Sequence, residues 1–96
     1  MSPKKIKQLN ILRKKLDKLD NELLSSFKLR TNLVKKVLEL KTLKKHIVDK
    51  NRINIILKNV EKKSKKMGID TKITKRIWKN MIWAYIDFER RRFKKK

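Results

Sequence analysis

The chain has 96 residues, with 31 Lys and Arg against nine Asp and Glu, so it carries a formal charge of +22. It has no Cys, one His, one Gly and one Pro, which excludes a disulfide framework, a thiolate or His-cluster metal centre and a turn-rich β fold. The start "MSPKKIKQLN" lacks the apolar region of a secretory leader, and no apolar run approaches the roughly 18 residues of a membrane span. These features predict a soluble, cytoplasmic, single all-α domain with a small core, needing no metal or cofactor.

The charge by itself is ambiguous. A dense cationic field binds phosphate backbones without regard to sequence. Yet 24 of the basic residues are Lys, beside 11 Ile, seven Asn and one Ala, the usage expected of an AT-rich coding sequence. The seven Arg are therefore more informative than the Lys.

In chain order, Ser2 and Pro3 suit the N-cap and first position of a helix. Ile6, Leu9, Leu16, Leu19, Leu23, Phe27, Val34 and Val37 then recur mostly at three- and four-residue intervals, predicting one helix over about 3–44. After "KHIVDKN", Asp49 is placed to cap a second helix over about 49–67, with a stripe of Ile53, Ile56, Leu57 and Val60. Gly68 suits its C-terminal stop. Asp70 or Thr71 caps a third helix reaching about Phe93, with Ile73, Ile77, Met81 and Ile82 apolar. The basic tail over 90–96 reads as a fraying, solvated end, His46 as an exposed loop residue, and Met67 and Met81 as packing residues. Trp78 and Trp83 read as core and rim rather than base-stacking platforms.

About 40 helical residues span roughly 60 Å, whereas a compact monomer of this length is roughly 30–35 Å across. A partner chain is needed to cover the leucines of the first helix. The expected assembly is an intertwined homodimer.

At 100° per residue, Arg30 and Lys41 lie about 20° apart on the stripe that carries Phe27, Val34 and Val37. Arg13, 17 residues before Arg30, addresses another surface. Trp78, Ile82, Tyr85 and Glu89 share one face of the third helix and put a carboxyl among aromatic residues. Buried ionisable groups need partners, so these cations, with Arg52, are candidates to converge with Glu89. The bland alternatives are long cations snorkelling to solvent, a surface Arg52 and a structural ion pair at Glu89.

"LRKKLDKLDNELLSSFKLRTNLVKKVLELK", "DKNRI" and "GIDTKITKRIWKNMIWAYIDFE" together resemble the all-helical chorismate mutase family over about residues 9–90. The likeness lies in the spacing of Arg13, Arg30 and Lys41, the D-x-x-R that opens helix two, and a carboxyl on helix three. It implies three helices per chain in an intertwined dimer converting chorismate to prephenate in aromatic amino-acid biosynthesis. It further implies that Arg13 enters the partner's site to bind one carboxylate and that Arg30 binds the other. Lys41 and Glu89 would contact the ether oxygen, with Asp49, Arg52 and Tyr85 lining the substrate.

Ile53 directly after Arg52, and Tyr85 before the final polar residue, instead resemble the isochorismate-pyruvate lyase branch. Glu89 where those lyases carry Gln, and the lack of loop prolines before helix two, point back toward the mutases. A lyase is thus the alternative activity. A basic helical nucleic-acid-binding protein is the remote alternative, disfavoured because Arg30 and Lys41 are expected to point inward.

Overall fold

The computed structural model describes residues 1–94, which form helix α1 (Pro3–Leu40), a 3₁₀ turn (Lys44–His46), α2 (Lys50–Met67) and α3 (Thr71–Arg92). Among these residues no helix is long and apolar enough to cross a membrane. The chain divides into two compact units, Met1–Leu33 and the residues from Val34 onward.

The first unit is the greater part of α1. Its start is capped as the sequence predicts: Lys5 N–H donates to Ser2 Oγ (3.3 Å), Ile6 N–H donates to the Ser2 carbonyl (2.9 Å), and Pro3 opens the helix. The leucine stripe is in place but uncovered. Ile6, Leu16, Leu19 and Leu23 are exposed, Leu16 by 58%, and no side chain in this unit is fully buried.

The second unit holds the core. Leu38, Ile47, Ile82 and Ile86 are buried, and Val48, Ile53, Ile56, Leu57 and Phe93 pack against them. α1 ends at Leu40, four residues short of the predicted Lys44. Lys41 N–H closes on the Leu38 carbonyl (3.0 Å), an i to i−3 bond that tightens the last turn, and Leu43 is extended. No Gly or Pro marks this stop. The turn that follows instead brings Ile47 into the core, where it is 3% exposed.

α2 lays its predicted stripe on α3, and its ends are defined by local chemistry. Asp49 Oδ1 accepts from Arg52 N–H (3.0 Å) at the N-cap. At the other end Gly68 N–H donates to the Lys65 carbonyl (3.2 Å) and Ile69 N–H to that of Ser64 (2.9 Å), the paired bonds of a Schellman stop. Asp70, not Thr71, caps α3, accepting from Lys72 N–H (2.8 Å). Near this turn the buried Ser64 hydroxyl lies 2.8 Å from Thr74 Oγ1 and 2.6 Å from the Val60 carbonyl, so the hydroxyls that cross from α2 to α3 are satisfied.

Four expectations fail. Met67 is 72% exposed, because it lies in the last turn before Gly68, beyond the reach of the core. Ile73 and Ile77 are exposed, since α3 turns the face of Thr74, Ile82 and Ile86 inward instead. Trp83 lies outside the core and is exposed, whereas Trp78 is half-buried. Arg90, Arg91 and Arg92 are helical rather than frayed, held by Phe93 packing on the core just beyond them. Lys95 and Lys96 of the predicted tail lie outside the described residues.

Gly68 has φ +69°, a conformation that costs an L-residue roughly 1–2 kcal/mol, and a Cβ there would meet nothing within 4 Å. Gly68→Ala should therefore lower unfolding stability by about 1 kcal/mol through the backbone alone, and Gly68→Asn by less. Urea titrations of the three proteins measure this. A neutral Ala variant would contradict the assigned stop.

Candidate active site

Glu89 shares the inner face of α3 with Ile82 and Ile86, seven and three residues earlier, and is buried with them. A carboxylate in that position requires a partner. Lys41 supplies it: Nζ donates to Glu89 Oε1 at 3.0 Å, with the two side chains 19% and 7% exposed. These residues are 48 positions apart, so the pair ties the end of α1 to α3.

Counting 11 helical residues from Arg30 places Lys41 on an inward face. Lys41 directly follows the last residue of α1, with its N–H bonded back to the Leu38 carbonyl, and its contact with Glu89 is what fixes the ammonium. An ammonium has three N–H donors, so one bond to a carboxylate orients the group while leaving donors for an anion.

Asp49 and Arg52 occupy the first turn of α2. Their observed contact is the cap, carboxylate to backbone N–H, and the Arg52 side chain is exposed. Lys41 and Asp49 both line an open depression of about 610 Å³, together with Lys45, His46 and Lys50. Those last three residues were not among the predicted site positions. Their signal was the charge density of "KTLKKHIVDK" around Lys41.

Tyr85 is half-buried one turn before Glu89, with its ring edge-on to Phe88 (centroids 6.4 Å apart, 87° between planes). Phe88 also lies beneath the Arg92 guanidinium, 5.3 Å from its centroid. Arg13 and Arg30 belong to the first unit, where Arg13 is exposed and Arg30 half-buried. Of the seven predicted residues, the structure thus brings Lys41 onto Glu89 and sets Lys41 and Asp49 around one depression. Tyr85 lies one turn before Glu89 on α3.

This is an all-helical protein in which a long-range ion pair sets an oriented ammonium beside a buried carboxylate. More particularly, it belongs to the chorismate mutase family: the model of chorismate mutase type II matches residues 12–90, most of the chain. Comparison with curated proteins and comparison with solved structures each found no match.

If Lys41 and Glu89 stabilise each other, removing either one strands the other. Lys41→Met and Glu89→Leu should each cost about 1–3 kcal/mol, because both groups are mostly shielded from water. The double variant should cost clearly less than the sum of the two. A urea-denaturation double-mutant cycle tests this, and strict additivity would mean the pair is not coupled.

Proposed function

We propose that this protein is a chorismate mutase, rearranging chorismate to prephenate. Membership of the family over residues 12–90 supports the activity, and the buried Lys41–Glu89 contact is the observation that carries the site assignment. The reaction breaks the ether C–O bond and forms a C–C bond in one cyclic movement of electrons. No nucleophile, metal or proton relay is required. What the protein must do is hold a flexible dianion folded, with the joining carbons about 3–3.5 Å apart, and place a donor where negative charge grows on the ether oxygen.

In this reading Lys41 is that donor. Arg30 binds one substrate carboxylate, and Arg13 of a second copy binds the other. Asp49 and Arg52 flank the ring hydroxyl and its neighbouring carboxylate, and Tyr85 shapes the apolar wall. Glu89 orients the Lys41 ammonium toward the same ether oxygen.

Uncovered apolar surface supports the second copy. Leu16, Leu19 and Leu23 are exposed on α1, whose 38 residues run to roughly 57 Å, and Ile73 and Ile77 are exposed on α3. We take the working unit to be an intertwined homodimer.

The decisive assay gives purified protein chorismate and isochorismate separately. Prephenate from chorismate supports the mutase. Salicylate and pyruvate from isochorismate would transfer the pocket to lyase chemistry, the reading favoured by Ile53 after Arg52 and by Tyr85. Turnover of neither substrate would reject both.

Lys41→Met should lower kcat by at least 10²–10³-fold, the usual loss for one donor to a developing oxyanion. Retention of more than about a tenth of the activity would reject its role.

The dimer has its own test. Arg13→Ala and Lys41→Met homodimers should both be nearly inactive. Unfolding and refolding them together should restore about a quarter of full activity, because half the dimers are mixed and each has one intact site. Light scattering should give a dimer mass, and a folded monomer without complementation would defeat the assignment of Arg13.

A further inference from the structure

The outer face of α3 carries a feature that the mutase reading leaves unused. Lys72, Arg76, Lys79, Trp83 and Arg90 are all exposed. At 100° per residue they fall within about 60° of one another and form a stripe roughly 27 Å long. Trp83, 52% exposed, lies near its middle with cations on both sides. The stripe borders the inward face at Ile86, about 20° round the helix from Lys79, and is separated from Ile82 and Glu89 on one side and from the exposed Ile73 and Ile77 on the other by about 60° or more. Asp87 lies at its edge, but its carboxylate is held by Arg91 (Nε to Oδ2, 3.1 Å).

From this geometry we infer that the outer face of α3 binds single-stranded nucleic acid. Exposed cations in a row attract successive phosphates, and an indole among them offers a stacking platform to any base. Charge complementarity favours a polyanion, since the chain carries +22. An anionic membrane suits the face poorly: a helix lying in a membrane surface must sink its apolar side, and the inner side of α3 is already packed in the core. The cations involved are not those directed inward, so the stripe is independent of the catalytic assignment.

α2 supplies an internal control. Lys58, Lys62 and Lys66 form an exposed ridge of matching charge, with Glu61 beside them and no aromatic residue. A labelled oligouridylate of about a dozen nucleotides, followed by fluorescence anisotropy, is a suitable probe. With about four phosphates engaged, affinity should fall about fiftyfold from 50 to 200 mM salt. Reversing Lys72, Arg76 and Lys79 to Glu should weaken binding at least tenfold more than reversing Lys58, Lys62 and Lys66, with circular dichroism showing both variants helical. Trp83→Ala should cost roughly tenfold, and binding should quench tryptophan emission in the unaltered protein but not in this variant. Equal losses from the two triple reversals would reduce the effect to net charge and overturn the inference. So would a duplex bound as tightly as the single strand with Trp83→Ala silent, or tighter binding to phosphatidylserine vesicles than to the oligonucleotide.

Discussion

Burial of apolar surface must offset the conformational entropy of a folded chain, and in this protein a single copy buries little of it. Four apolar side chains are buried among the described residues, all of them in the second unit, while Leu16, Leu19 and Leu23 of α1 face water. Under this constraint the long helix, which by itself would be marginal in water, calls for cover from outside the chain. It also explains why a dimer and an active site belong to the same proposal. If Arg13 reaches its substrate only from a second copy, the association that covers the leucines also completes the site.

Within the second unit the ion pair is the costliest element. Apolar residues of similar volume in place of Lys41 and Glu89 would cost little stability. A well-packed core therefore gives no reason to keep them. The proposed mutase reaction does: a pericyclic rearrangement has no use for a nucleophile but benefits from an ammonium set in a fixed direction before the substrate arrives.

Much of the architecture was legible because it is written in local rules. Ser2, Asp49 and Gly68 announced helix ends through hydrogen bonds that the structure contains. The end of α1 was not legible, since nothing between Leu40 and Lys44 breaks a helix; the burial of Ile47 decides it, and that is a tertiary effect. Glu89 was found by its spacing from Ile82, which the straight run of α3 preserves. Lys41 was placed inside by a helical count from Arg30, and it directly follows the last residue of α1. Ile73 and Ile77 read as core because periodicity marks an apolar face without saying which molecule covers it. The roles of Arg13, Arg52 and Tyr85 were assigned through family resemblance, and no local rule ties them to one another.

The turn at Gly68 bears on the order in which the chain acquires structure. Ser64 and Thr74, ten residues apart, exchange a buried hydrogen bond across that turn, and the caps at Asp49 and Asp70 need only neighbours within three residues. Contacts that close such short loops lose little chain entropy and form early. The α2–α3 hairpin is therefore the natural nucleus, and in the proposed dimer α1 is stabilised later, by an encounter whose rate rises with protein concentration. A newly made chain at low abundance would then pass through a state with a formed hairpin and an exposed leucine stripe, the period of its life in which it is most open to aggregation and proteolysis.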